Sequence, residues 1–138
     1  MDVYVPLRRM TRYFESELNK ELVGKEFSYG LWSYIFIIGK HEGSSIKELC
    51  VKCGLDKGNS TRMVSKLMDM GVVEDRSTKS RTYSLYLTDK GKEAFDKATD
   101  ALSTLCTRLF HELSDDERDS LINCFAKIST TMSREYVY

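Results

Sequence analysis

Residues 56–73 read Asp56-Lys57-Gly58-Asn59-Ser60-Thr61-Arg62-Met63-Val64-Ser65-Lys66-Leu67-Met68-Asp69-Met70-Gly71-Val72-Val73. Asp56 places an acceptor side chain just ahead of a run with helical period, as an N-cap does. Met63, Val64, Leu67, Met68 and Met70 recur at steps of three and four and form one apolar stripe. Gly71 stops the run. The spacing predicts a helix over residues 57–70. Its leading turns hold Lys57, Gly58, Asn59, Ser60, Thr61 and Arg62, and Lys66 lies one turn beyond Arg62 on the same face.

Upstream, Ser45 and Glu48 have capping-box spacing and predict a helix over residues 46–52 that ends at Gly54. Two short amphipathic helices joined by Cys53-Gly54-Leu55-Asp56 form a helix-turn-helix pattern. A further helix is predicted over residues 29–40, with Leu31, Trp32, Ile35, Phe36 and Ile38 inward. Downstream of Gly71 the period changes from helical to two. Val72 and Val73 begin one strand that continues through Arg76. In a second, Tyr83, Leu85 and Leu87 alternate with Thr82, Ser84 and Tyr86. Ser77-Thr78-Lys79-Ser80 links them as a short, polar, basic tip. A helix-turn-helix followed by such a hairpin is a winged helix.

Longer helices flank this unit. Val3, Leu7, Met10, Phe14, Leu18 and Leu22 share one face of a first helix, with Pro6 in its first turn and Gly24 as its stop. Thr88 caps another, on which Phe95, Ala98, Leu102, Leu105 and Leu109 make a seam with coiled-coil steps. Ser114 and Glu117 form a second capping box ahead of a last helix bearing Leu121, Ile122, Phe125, Ile128 and Met132. The fold expected is mostly α with a small β-hairpin wing. A winged lobe at residues 27–91 is flanked by long helices at 1–26 and 92–138, whose apolar faces suit dimerisation.

The formal net charge is zero, but its distribution matters more than its sum. Between residues 57 and 81 lie Lys57, Arg62, Lys66, Arg76, Lys79 and Arg81 against Asp69, Glu74 and Asp75. Acids gather instead at Glu112, Asp115, Asp116, Glu117 and Asp119. The second helix of a helix-turn-helix presents its N-terminal residues to the major groove. Gly58 lets backbone approach DNA. Asn59 suits adenine, Arg62 guanine or phosphate, Ser60 and Thr61 either partner, and Lys66 a phosphate. Arg76, Lys79 and Arg81 on the wing complete the candidate DNA-binding set, the last two within reach of a minor groove or the backbone.

The segment from Phe27 to Gly91 resembles the multiple-antibiotic-resistance regulator (MarR) family. Residues 56–73 are similar to its recognition helix with the Leu-x-x-x-Gly-aliphatic ending. Leu87-Thr88-x-x-Gly91 is similar to its Leu-Thr-x-x-Gly after the wing, and Ser45-Ile46-Lys47-Glu48-Leu49 to its entry into the helix-turn-helix. The resemblance implies a homodimeric regulator of transcription, most often a repressor, that grips a pseudo-palindromic double-stranded operator with two winged lobes. It also implies a crevice for small aromatic effectors, for which Tyr13, Phe14, Tyr29, Trp32 and Phe36 are the candidate lining. The same aromatics fit plain core packing. The sequence departs from the family at the wing, where Lys79 stands in place of the usual Asp two residues before Arg81, and at Leu31, where many members have Gln.

Other chemistry finds little support. The four cysteines are Cys50, Cys53, Cys106 and Cys124. Cys50-x-x-Cys53 without a second pair is a weak metal signal, so no metal or cofactor is expected, while a thiol switch stays open beside simple packing. His41 and His111 have no companions at metal spacing. With no Ser/His/Asp set, no zinc-protease helix and no dinucleotide fingerprint, no enzyme activity is expected. No apolar run approaches the roughly 18 residues a membrane span needs, and no signal-peptide core precedes Arg8, so a cytoplasmic protein is expected. A sequence-specific DNA-binding regulator and a winged-helix docking module that never touches DNA both remain compatible with the residues. They differ in whether the basic stretch binds phosphates.

Overall fold

Each helix of the winged lobe and its C-terminal flank begins at a side-chain oxygen. In the computed structural model, which describes residues 1–22 and 26–135, the elements are α1 (Tyr4–Leu22), α2 (Tyr29–Lys40), α3 (Ile46–Cys53), α4 (Lys57–Asp69), β1 (Val73–Asp75), β2 (Leu85–Leu87), α5 (Asp89–Leu109) and α6 (Asp115–Glu135). Ser28 Oγ accepts the Leu31 amide at 3.3 Å and Ser45 Oγ the Glu48 amide at 3.1 Å. Asp56 Oδ2 takes the Asn59 amide at 2.8 Å, Thr88 Oγ1 that of Gly91 at 3.1 Å, and Ser114 Oγ that of Glu117 at 3.2 Å. Each such bond satisfies an amide that the helix start leaves without a partner. The Ser114 box is reciprocal, since the Glu117 carboxylate takes the Ser114 N–H at 3.0 Å. The Ser45 box is not: Glu48 receives the Ser45 hydroxyl instead. The expected stop of the first helix at Gly24 lies outside the described residues.

The fold is the expected mostly helical one with a hairpin. Two apolar clusters organise it, and α2 belongs to both. Leu31, Ile35 and Ile38 of α2 pack with Leu49, Val64 and Leu67 of the helix-turn-helix and with Leu85 and Leu87 of the hairpin. Trp32, on the other side of α2, packs with Leu18 of α1 and with Ala98 and Leu105 of α5. Each fully buried Leu or Ile contributes about 1.5–3 kcal/mol relative to exposure, so α2 is anchored in both directions. α4, the helix expected to enter the major groove, turns Val64 and Leu67 inward. It ends one residue before the predicted Met70, which forms its C-cap.

β1 and β2 pair antiparallel, with Val73 opposite Leu87 and Asp75 opposite Leu85. Gly43 and Ser44 add a further rung to Leu85 through bonds of 2.8 and 3.0 Å. The second strand was expected from Thr82, and the structure corrects this: it starts at Leu85. The Asp75 carboxylate is the physical reason. It accepts the backbone N–H groups of both Ser77 and Ser84 at 2.9 Å; the Arg76 N–H still reaches the Ser84 carbonyl at 2.8 Å, but the return bond goes to a side chain and residues 77–83 leave as a loop.

The Leu87-Thr88-x-x-Gly91 segment is a joint. Thr88 donates its N–H to the Val72 carbonyl at 3.1 Å and its hydroxyl to the Gly71 carbonyl at 2.6 Å. A Cβ on Gly91 would strike the Val72 carbonyl oxygen. Gly71 itself has φ +74°, a region that side chains disfavour. Thus α5 starts hard against the end of α4.

α6 has no buried residue. Ile122, Phe125, Ile128 and Met132 face solvent, as do Val3, Val5 and Leu7 at the other end of the chain. The accessible surface is 9673 Å², about a third more than the roughly 7,400 Å² expected of a compact monomer of this mass. Among the described residues, no helix is long and apolar enough to cross a membrane.

Candidate nucleic-acid interface

The turn between α3 and α4 depends on Gly54, whose αL backbone (φ 66°, ψ 33°) closes α3 with an N–H bond to the Cys50 carbonyl. From there α4 runs across the lobe with its apolar stripe down and its leading polar residues up. Lys57, Gly58, Asn59, Thr61, Arg62 and Lys66 are all exposed. Among the described residues, no carboxylate lies within ion-pair distance of Lys57, Arg62 or Lys66. A helix N-terminus attracts anions, but here the Asp56 carboxylate already occupies it. The positive charge on this helix therefore comes from the lysines and arginine along the exposed face. Gly58 leaves that face without a side chain beside Asp56. The Thr61 hydroxyl donates to the Lys57 carbonyl at 3.1 Å, which leaves its lone pairs outward.

Ser60 departs from expectation. It was placed with the DNA-facing residues, but it is only 1% exposed. Its hydroxyl lies 3.0 Å from the Tyr34 hydroxyl and 3.7 Å from Cys50 Sγ. In helical geometry Ser60 shares a face with Val64 and Leu67, so a hydroxyl in the sequence of a polar turn ends up beneath it. Asn59 stays exposed, yet its Nδ2 reaches Tyr34 Oη at 3.4 Å.

On the wing, Lys79 and Arg81 are exposed at the tip. Among the described residues neither has an ion-pair partner. Arg76 is different. Its guanidinium holds Glu74 through Nε at 2.9 Å and Nη2 at 2.6 Å and lies 4.2 Å from the centroid of the Tyr86 ring. It is an exposed cation that is paired within the stem of the hairpin. The bonds to Ser84 and then Ser77 hold the Asp75 carboxyl below the usual aspartate range. The sequence signals for Asp75, Tyr86 and Tyr34 were weak. An acid at a strand end and aromatics on a helix or strand look like ordinary surface and core until their partners are known.

Four of the five candidate aromatics line one cleft of about 440 Å³: Phe14, Tyr29, Trp32 and Phe36, with Leu18 and Leu102. Trp32 stands 6.1 Å from Tyr29 and 5.4 Å from Phe36, ring centre to ring centre. The Trp32 indole N–H is buried and has no partner among the described residues. Tyr13 does not line this cleft: its ring meets Phe14 edge-on at 6.1 Å, and its hydroxyl accepts a bond from Arg108 at 3.1 Å. Burial pushes the Cys53 thiol up, away from the thiolate that oxidation requires, and Cys50 is fully buried. Cys124 is exposed rather than packed, and Cys106 is half-buried, where desolvation raises its thiol too. Among the described residues no cluster of His, Cys, Asp and Glu is arranged to hold a metal.

Comparisons with known proteins agree with this geometry. A family model described as winged helix-turn-helix DNA-binding matches residues 35–74. The HTH-type transcriptional regulator BilQ of Clostridium symbiosum is 32% identical over 123 residues, covering 88% of this chain and 83% of that protein. BilQ of Clostridioides difficile is 27% identical, with 82% and 78% covered. Among solved structures, a MarR family transcriptional regulator from Listeria monocytogenes complexed with a 26mer DNA superimposes with a TM-score of 0.90 at 15% identity. That alignment covers 98% of this chain and 91% of the other.

Proposed function

The chain belongs to the MarR family of winged helix-turn-helix transcriptional regulators, and from that premise we propose that it is a cytoplasmic, homodimeric repressor of a pseudo-palindromic operator. Residues 27–91 form the DNA-binding lobe, and residues 1–26 and 92–138 the dimerisation region. Lys57, Gly58, Asn59, Thr61 and Arg62 enter the major groove, Lys66 binds a phosphate, and Lys79 and Arg81 follow the adjacent backbone or minor groove. Ser60 acts from behind, under the recognition helix, while Arg76, exposed on the wing stem and paired with Glu74, adds its cation beside Lys79 and Arg81. The observation that carries this reading is the set of exposed cations on α4 without carboxylate partners among the described residues, set on a helix whose other face is locked into the core.

The unburied apolar faces of α1 and α6 support dimerisation. The surplus of accessible surface, on the order of 2,000 Å² per chain, falls in the range that an obligate homodimer buries. The cleft around Trp32 supports a planar aromatic effector with an acceptor for the free indole N–H. Such a ligand releases the operator only if it binds the DNA-incompetent arrangement of lobes better than the competent one.

A fluorescence-anisotropy titration tests the reading, using the duplex upstream of the chain's own gene, a scrambled duplex and two salt concentrations. Specific binding should fall with salt at a logarithmic slope of about −0.9 per phosphate neutralised. Binding without salt dependence, or none to any genomic fragment, would instead favour a winged-helix docking module.

A further inference from the structure

The Tyr34 hydroxyl stands between the core and the leading turns of α4. Tyr34 belongs to α2 and is 5% exposed, so it cannot meet DNA itself. We propose that it is a positioning residue for base readout: its hydroxyl, braced by Ser60, holds one amide hydrogen of Asn59 and thereby sets which edge of that amide faces the groove. This rests on the DNA-binding reading above and extends it to a residue of the supporting helix.

The hydrogen bonds form a directed chain. Asn59 Nδ2 donates to Tyr34 Oη over 3.4 Å. Tyr34 can then donate to Ser60 Oγ over 3.0 Å, and the remaining lone pair of Ser60 takes the Cys50 thiol hydrogen over 3.7 Å. Ser60 and Cys50 are each 1% exposed, where an unpartnered hydroxyl is costly and the pair is held in place. Asn59 has no such confinement of its own. An exposed amide rotates readily and presents donor or acceptor to any base. Bonded to Tyr34, it keeps Nδ2 inward and leaves Oδ1 with one N–H for the DNA, a donor–acceptor pair of the kind that matches adenine in the major groove. Without the tyrosine hydroxyl, Asn59 keeps its contact area but loses its preference.

The test is selection from a pool of duplexes with a randomised central segment, followed by sequencing, on full-length wild type, Asn59→Ala, Tyr34→Phe and Ser60→Ala. Asn59→Ala marks the position in each half-site that the amide reads. Tyr34→Phe should lose about fivefold or more of the preference at that same position. The rest of the motif, and affinity for a random duplex, should stay within about twofold. Ser60→Ala should move the same position less, and it decides alone if circular dichroism shows Tyr34→Phe unfolded. Full preference retained in both variants, or loss spread evenly over all positions, overturns the proposal. A wild type that enriches no motif removes the DNA-binding reading itself, and this inference with it.

Discussion

Gly91 holds the fold through the side chain it lacks. Its Cα faces the Val72 carbonyl, and a methyl there would collide with backbone rather than with a side chain that can step aside. Gly91→Ala should therefore destabilise the protein by at least the roughly 1–3 kcal/mol typical of overpacking. Urea unfolding checks this, and an unchanged midpoint would refute the joint as described. At the same scale, the two basic residues of α4 should part company. Arg62→Ala should cost about 1–3 kcal/mol of operator binding and relax specificity at one position, whereas Lys66→Ala should weaken all duplexes alike and lower the salt slope by about 1. Anisotropy against operator and scrambled DNA separates the two. Capping residues such as Asp56 and Thr88 were legible in the sequence because a cap acts on amides two or three residues away. Ser60 was not. Its neighbours in sequence are polar, and only Tyr34 and Cys50, which approach from other helices, reveal that it lies inside.

Among the elements, the wing is where local pattern predicts least. Alternation from Thr82 suggested a longer strand, but the Asp75 carboxylate intercepts the amides of Ser77 and Ser84 and ends the ladder early. Those bonds lower the Asp75 pKa in the folded state. Their stabilisation is thus complete above the ordinary carboxylate range and is lost as pH falls through the lower folded value. Order in residues 76–84, read by backbone NMR relaxation, should hold at neutral pH and fall at pH values below about 4. Asp75→Ala should show the disordered wing already at neutral pH. A wing whose order is unaffected by Asp75→Ala at neutral pH would contradict this account. The helices were easier to read because their period persists over many residues, while a three-residue strand offers one repeat of its own.

At the scale of the molecule, α6 buries none of its residues among the described ones. Replacing both Ile122 and Ile128 with Glu should leave a folded winged lobe but a monomer by sedimentation velocity, and operator affinity should collapse with the loss of the second half-site. Retention of a dimer would move the interface away from α6. The cleft offers a convenient reporter, since Trp32 is the sole tryptophan. A planar aromatic acid that occupies it should change the intrinsic fluorescence saturably and weaken DNA binding over the same concentration range. A change in fluorescence without a change in affinity would mark a cleft uncoupled from the lobes.

Periodicity, caps and glycine stops were enough to determine the order of helices, the helix-turn-helix, the presence of a hairpin and the basic character of α4. Each of these depends on residues a few positions apart, whose geometry the backbone itself dictates. Tertiary structure decided which polar residues face out. It buried Ser60, tied Arg76 to Glu74 and Tyr86, kept Tyr13 out of the cleft around Trp32 and left α6 without a buried residue. Those outcomes depend on partners far away in the chain. The direction of a side chain relative to solvent is a property of what packs beside it, and no local pattern carries that information.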